Sequence, residues 1–244
     1  MTVNKWMPSQ VDEWLGALGH LLLPPRCLVC AEPGEDRRDL CAACTLALPY
    51  NVHACLACGL PLPAAAGDAL CGRCLRRPPP FAATVAPLLY AAPLDRLLPR
   101  LKFHADLAAG RVLADLLGDA VQARLDQGLP RPQALVPVPL HRARLRERGY
   151  DQALELARPL ARRFGLPLRA DLLRRTAPTR AQSRLDAAAR ARNVRRAFSA
   201  ASPAPAHVAL VDDVMTTGAT LGACAHALLR AGAERIDVWV VARA

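Results

Sequence analysis

The feature that most restricts how this chain can fold is a set of four CxxC pairs within residues 27–74. Short segments rich in Pro, Gly and Ala separate the pairs, and they hold too few apolar residues to form a core. Such a segment needs a metal to supply its folding free energy. A CxxC turn presents two thiolates, so two turns complete the tetrahedral ligand set that Zn²⁺ prefers. The sequence therefore predicts zinc ligation by Cys27, Cys30, Cys41, Cys44, Cys55, Cys58, Cys71 and Cys74.

The spacing of the pairs leaves their grouping open. The simplest arrangement is sequential, with the first two pairs on one ion and the last two on a second, but a cross-braced arrangement of alternate pairs also fits. A site closed by four thiolates has no position for water or substrate, which favours a structural role for zinc. The alternative is a ribbon that contacts nucleic acid or a partner protein. A redox function is less favoured, since one redox unit does not need four CxxC copies.

The cysteine usage also bears on location. Metal-ligating thiols are typical of a reducing compartment. The chain has no apolar run of about 18 residues, and Asp12 and Glu13 interrupt its start. We therefore predict a cytoplasmic protein without a transmembrane segment. Residues 11–22 predict a short amphipathic helix that docks on the protein, because its polar side lacks the basic cluster of a membrane-surface helix.

Beyond a proline-rich linker at residues 76–80, strand-like and helix-like patterns alternate. This alternation predicts an α/β fold, a mostly parallel sheet with helices on both faces. Three parts follow: an N-terminal helix (1–24), a double zinc ribbon with linker (25–80) and the α/β domain (81–244). Cys224 falls in an apolar helix pattern and is predicted to be a core residue. The predicted strands are 83–90, 134–140, 207–214 and 235–242, and the predicted helices are 107–125, 152–164 and 220–232.

The run VALVDDVMTTGAT, residues 208–220, carries the strongest functional signal. A buried strand brings Asp212 and Asp213 to the carboxyl edge of the sheet, where open α/β folds bind ligands. The following loop of small residues offers N–H groups, hydroxyls and the positive end of a helix to a phosphate, and Gly218 permits close approach. Helix capping alone would need one such acid, not two.

This run resembles the phosphoribosyl pyrophosphate signature of the type I phosphoribosyltransferases. The resemblance implies that Asp212 and Asp213 hold the 2- and 3-hydroxyls of the ribose. It also implies a cradle for the 5-phosphate, formed by Met215, Thr216, Thr217, Gly218, Ala219 and Thr220.

A second stretch, residues 136–152, ends a strand and continues as an arginine-rich run. Arg148 and Gly149 have the character of a pyrophosphate loop, because a guanidinium binds phosphate oxygens and glycine admits the ligand. Mg²⁺ would chelate the pyrophosphate, with Lys102 and Arg148 neutralising the leaving group. His104 and His141 are candidate acid/base groups, or ordinary loop histidines.

Several motifs together resemble the ComF family, which includes ComFC- and GntX-like proteins. They are PVPLHRARLRERGYDQA, the double CxxC head, LKFHAD at 101–106 and the arginine-rich stretch 175–198. The resemblance implies a zinc ribbon joined to a phosphoribosyltransferase-like domain and a link to uptake of single-stranded DNA in natural competence. Two hypotheses follow: a phosphoribosyltransferase with an unidentified acceptor, or a DNA-uptake adaptor whose site binds a regulatory ligand without turnover.

The formal charge of +11 is by itself weak evidence for a nucleic-acid partner, because zinc-bound thiolates would lower it. The positive charge is concentrated in residues 169–196. This segment is interpreted as a loop that closes over the substrate or, alternatively, as an arginine surface for single-stranded DNA, whose binding would fall steeply with salt. A solvated helix face is the third interpretation.

Overall fold

A computed structural model describes residues 25–35, 38–66, 69–176 and 197–244. The chain divides into two compact units, Met1–Leu48 and Pro49–Ala244. The predicted amphipathic helix at 11–22 and most of the arginine-rich segment lie outside the described residues. The three-part division at residues 24 and 80 stays a prediction.

In chain order the elements are α1 (Ala42–Leu46), α2 (Gly72–Arg76), β1 (Ala83–Val85), β2 (Leu88–Leu89), α3 (Leu94–His104), α4 (Leu107–Asp126), β3 (Ala134–Pro137), α5 (Arg142–Arg148), α6 (Gln152–Phe164), β4 (Leu173–Arg175), β5 (Phe198–Ala200), β6 (His207–Met215), α7 (Ala219–Arg230) and β7 (Arg235–Arg243). None of the helices described is both long and apolar enough to cross a membrane.

The main sheet has the order β1-β7-β6-β3, and β2 pairs with β7 beyond β1. All of these pairings are parallel, which confirms the predicted sheet. The apolar run predicted as one strand at 83–90 is instead two short strands, because Pro87 has no N–H to donate to a ladder. A separate antiparallel pair, β4 with β5, flanks residues 177–196.

Helices cover both faces of the sheet. On one face α4 and α6 pack together against β3, β6 and β7, and the rings of Phe164 and Trp239 meet edge to face at 5.7 Å. On the other face α7 packs against β6 and β7. Because side chains alternate along a strand, β6 gives Val211 to the first face and Leu210 to the second. Cys224 of α7 is fully buried, which confirms its predicted place in the core.

The cysteine-rich region contributes to both units. In the first unit an antiparallel bridge joins Arg26 to Pro33, and α1 starts at the ligand-bearing turn of Cys41. In the second unit the last four cysteines are buried in the same cluster of apolar side chains as α7. The second cysteine cluster is therefore part of the core of the α/β unit.

Candidate functional site

The acid pair lies at the carboxyl end of β6, where the sequence predicts it. Asp213 is buried and forms an ion pair with Lys102, whose Nζ lies 2.9 Å from its Oδ2. Asp212, on the opposite face of the strand, is half-buried, and its Oδ1 accepts a hydrogen bond from the Asp213 N–H at 2.9 Å. Two carboxylates and an ammonium group therefore meet at this edge of the sheet.

The ionisation of Asp212 is affected by its surroundings. Loss of hydration, reinforced by the negative charge of Asp213, raises the pKa of Asp212 well above its ordinary value. The ammonium of Lys102 opposes this shift, but only in part. Asp212 therefore binds a proton more readily than an ordinary surface aspartate.

The predicted phosphate loop, residues 215–220, follows directly and leads into α7; it is called the phosphate loop below. Gly218 is the N-cap of α7 and has a φ of 76°, a backbone conformation that residues other than glycine rarely adopt. A Cβ at this position would also lie 2.6 Å from the Cε of Met215. Met215 packs in the core, so its backbone alone is available to the loop, whereas Thr216 and Thr217 are exposed. Thr217 Oγ1 accepts a hydrogen bond from the Ala219 N–H at 3.3 Å.

Lys102 and Arg148 line one cavity of about 680 Å³ together with Phe103, His104, Ala105, Arg144, Glu147 and Tyr150. The Arg148 guanidinium lies 5.2 Å from the centre of the Phe103 ring and donates a hydrogen bond to Gln152 Oε1 at 3.1 Å. Gly149 ends α5 with a φ of 79°, which turns the chain toward α6. Cationic side chains from α3 and α5 thus converge on one cavity that can accept a polyanion.

Asp151 is a residue that the sequence analysis did not single out. Its carboxylate accepts hydrogen bonds from the N–H groups of Leu140, Ala153 and Leu154, at 3.1, 3.0 and 3.2 Å. Burial raises the pKa of Asp151. Asp151 thereby ties the end of the β3 loop to the start of α6. The sequence does contain a signal for this role, because Asp151 immediately precedes a helical pattern and aspartate is a preferred N-cap residue.

The two histidines occupy different environments. His104 is exposed and lines the cavity with Lys102. His141 caps α5, where its Nδ1 accepts a hydrogen bond from the Ala143 N–H at 3.3 Å. His141 therefore stabilises the start of α5. Of these two histidines, only His104 lines the cavity that contains Lys102 and Arg148.

The arginine-rich segment, residues 169–196, is described only from 169 to 176. Arg169 is paired with Asp171 at 2.9 Å. Arg175 is half-buried, with its guanidinium 5.4 Å from the centre of the Phe198 ring. Burial lowers the pKa of Arg175. Arg174 is exposed on β4, and the remaining arginines of the segment lie outside the described residues.

The eight cysteines form two clusters, and the grouping is sequential. Within each cluster the four Sγ atoms lie within 4.8 Å of one another. The Sγ atoms of Cys30 and Cys41 are 3.6 Å apart, and those of Cys58 and Cys71 are 3.7 Å apart. A tetrahedral zinc with Zn–S bonds of about 2.3 Å requires sulfur separations of about 3.8 Å. Both clusters therefore fit a structural zinc ion.

Two arginines outside the predicted site contact the phosphate loop through its carbonyl groups. Arg73 lies between two ligands of the second cluster and donates to the Thr217 carbonyl at 3.1 Å. Arg243, at the end of β7, donates to the Met215 carbonyl at 2.9 Å. The only sequence signal for Arg243 is a charge at the end of the apolar run 238–242, and Arg73 has none.

Two domain families match the chain. The Double zinc ribbon domain matches residues 18–75, and the Phosphoribosyl transferase domain matches residues 151–244. The first match contains all eight clustered cysteines, and the second contains the acid pair and the phosphate loop.

Curated relatives match over most of the chain. "DNA utilization protein YhgH" of Salmonella typhi is 37% identical over 226 residues, which cover 91% of this chain and 99% of the relative. The protein of the same name from Escherichia coli strain K12 is 36% identical over the same shares. "Competence protein F" of Haemophilus influenzae is 37% identical over 216 residues, 85% of this chain and 92% of the relative. With its double zinc ribbon, its phosphoribosyltransferase domain and these relatives, the chain belongs to the ComF family.

Proposed function

We propose that the site binds phosphoribosyl pyrophosphate with Mg²⁺ and transfers the phosphoribosyl group to an acceptor. The observation that carries this proposal is the convergence of three chemically distinct parts at one edge of the sheet. These parts are the acid pair at the end of β6, the phosphate loop before α7, and the cavity with Lys102 and Arg148.

Each part suits a different portion of the ligand. Carboxylates accept hydrogen bonds from ribose hydroxyls, which assigns the 2- and 3-hydroxyls to Asp212 and Asp213. The N–H groups and hydroxyls of residues 215–220 suit the 5-phosphate, at the positive end of α7. Arg148 and Gly149 suit the pyrophosphate. Lys102 forms an ion pair with Asp213, and we propose that it also contacts the pyrophosphate.

The donor set also suits Mg²⁺, which prefers oxygen ligands and keeps several of its waters. Asp212 and Asp213 would hold the ion directly or through those waters. When bound, Mg²⁺ supplies positive charge that stabilises pyrophosphate as a leaving group.

The proposed transfer is a displacement at C1 of the ribose. The acceptor donates an electron pair to C1, the bond from C1 to the pyrophosphate oxygen breaks, and that oxygen keeps the bonding electrons. The acceptor's proton passes to water. Asp212 and Asp213 orient the ribose as positive charge develops at C1, while Arg148 stabilises the departing charge, so catalysis consists mainly of positioning and electrostatics.

A second candidate function is favoured by the names of the relatives, which refer to DNA utilization and competence. Here the same site binds its ligand as a regulator, and the chain acts in DNA uptake through the zinc ribbon and the arginine-rich segment. Turnover separates the two functions, because only the first releases pyrophosphate.

The test is thermal unfolding of zinc-loaded protein with phosphoribosyl pyrophosphate and Mg²⁺, with ribose 5-phosphate and pyrophosphate as separate probes. A ligand at about 100 times its Kd adds about 2.7 kcal/mol of stability, which raises the Tm by about 5–11 °C for a chain of this size. We expect all three compounds to raise the Tm, and the complete ligand to raise it most. Unchanged Tm values with every compound would contradict the proposal. Pyrophosphate release with candidate acceptors then distinguishes transfer from regulation.

Affinity is expected to depend on pH through Asp212. Its pKa is raised in the free protein, and ribose hydroxyls bind the ionised carboxylate, so affinity for phosphoribosyl pyrophosphate should rise with pH through that pKa. The stability of the free protein depends on pH in the opposite sense. Because ionising Asp212 costs more free energy in the folded than in the unfolded state, the free energy of unfolding falls as the pH rises toward the raised pKa. The measurement is Kd by calorimetry from about pH 5 to about pH 8. Asp212→Asn removes the titrating group and keeps the ligand's own titration, so equal pH profiles for both proteins would contradict the assignment.

A further inference from the structure

The phosphate loop is held from the side of the second cysteine cluster. Arg73 lies on α2, between the ligands Cys71 and Cys74. Because a metal-bound turn fixes the backbone at both ligands, it also fixes the point from which the Arg73 side chain extends. The Arg73 Nη2 donates to the Thr217 carbonyl at 3.1 Å.

A second guanidinium makes the same kind of contact at the start of the loop. Arg243 is buried, and its Nη1 donates to the Met215 carbonyl at 2.9 Å. Its Nε donates to the Cys58 carbonyl at 3.2 Å, within the second cluster. One side chain thus joins a zinc-ligating turn to the phosphate loop.

These contacts determine which way the loop peptides face. In a trans peptide the C=O of one residue and the N–H of the next point in opposite directions. The Met215 carbonyl accepts from Arg243 and from the Ala244 N–H at 3.0 Å, which turns the Thr216 N–H away from it. The Thr217 carbonyl, held by Arg73, likewise turns the Gly218 N–H away. Within the described part of the chain, neither N–H has a protein acceptor.

We propose that Arg73 is a positioning residue for phosphate binding: the second cysteine cluster, through Arg73 and Arg243, orients the loop N–H groups toward the ligand. This inference rests on the proposed function and deepens it, since it gives the zinc ribbon a part in that site. A closed zinc site with no open coordination position thereby acts on ligand binding without touching the ligand.

Arg73 and the phosphate loop line the same cavity. This cavity of about 430 Å³ is also lined by Arg77 and His226, on the side of the loop that faces the proline-rich linker. The cavity that contains Lys102 and Arg148 shares no lining residue with it. The 430 Å³ cavity is also lined by Thr217, Gly218 and Ala219 of the phosphate loop, so positioning by Arg73 has to be separated from direct contact with a bound phosphate.

The experiment compares Arg73→Ala with Arg76→Ala in the zinc-loaded full chain. Both residues are exposed on α2 and carry the same charge, but of the two only Arg73 donates a hydrogen bond to the loop. Calorimetry would measure affinity for ribose 5-phosphate and, separately, for pyrophosphate. We expect Arg73→Ala to weaken ribose 5-phosphate binding about fivefold, the value of one typical hydrogen bond, and to leave pyrophosphate binding unchanged. Arg76→Ala should change neither.

A second readout separates positioning from direct attraction of the phosphate. Amide chemical shifts and hydrogen exchange of Thr216 and Gly218, measured without ligand, should change in Arg73→Ala and not in Arg76→Ala. Equal affinities and equal amide signals in the two variants would overturn the inference. Absence of ribose 5-phosphate binding by the unsubstituted protein would instead overturn the proposed function.

Discussion

Replacement of Cys74 by serine is expected to unfold the α/β unit at room temperature. Cys74 is buried in the second cluster, which belongs to the same core as Met215, Leu221 and Cys224. Structural zinc contributes about 10–16 kcal/mol of binding free energy, whereas a whole domain is stable by only about 5–15 kcal/mol. Weakened zinc binding should therefore remove most of the stability of this unit. Circular dichroism, thermal unfolding and zinc content by elemental analysis would measure the effect.

The matched control for this prediction is Cys224→Ala. Cys224 is as deeply buried as the ligands but belongs to neither cluster, so its replacement tests the loss of a buried sulfur alone. We expect the Cys224→Ala protein to bind two zinc ions per chain and to lose only about 1 kcal/mol of its free energy of unfolding. A chelator should reproduce the effect of Cys74→Ser in the unsubstituted protein. A Cys74→Ser protein with unchanged Tm would show that the second cluster does not stabilise the fold.

Combined replacement of Asp212 and Asp213 by asparagine is expected to weaken phosphoribosyl pyrophosphate binding by about 100-fold or more. Each hydrogen bond to a charged group contributes about 1.5–3 kcal/mol, and the two acids together would supply at least two. The change also removes the negative partner of Lys102, whose Nζ lies 2.9 Å from Asp213. Calorimetry with Mg²⁺ at constant pH would measure the loss.

Asp237→Asn is the control for the loss of a buried acid. Asp237 is fully buried on β7 and pairs with Arg235 and His207, away from the acid pair. Breaking a buried ion pair typically costs about 3–5 kcal/mol, so this variant should have a lower Tm but unchanged affinity. If the double asparagine variant bound as tightly as Asp237→Asn, the acid pair would have no part in ligand binding.

The elements with a strong apolar period could be predicted closely from the sequence. The helix predicted at 152–164 has those bounds, and the strand that carries the acid pair differs from its prediction by one residue. Their faces are buried against neighbouring elements, so the hydrophobic pattern records the packing. Helix α5 was not predicted, because none of its residues is buried and its sequence shows no apolar face. Helix α3 contains Pro99, which weakens the helical signal.

The same distinction holds for the site. The acid pair, the phosphate loop and the eight cysteines are recognisable because each motif is local in the chain, where spacing alone determines which groups can act together. The sequence by itself thus determined the zinc ligands, the parallel sheet and the candidate ligand-binding residues. Only the tertiary structure decided that Lys102 pairs with Asp213, and that Arg73 holds the loop from 144 positions away. Such contacts depend on how separate elements pack, and no local period or spacing encodes them.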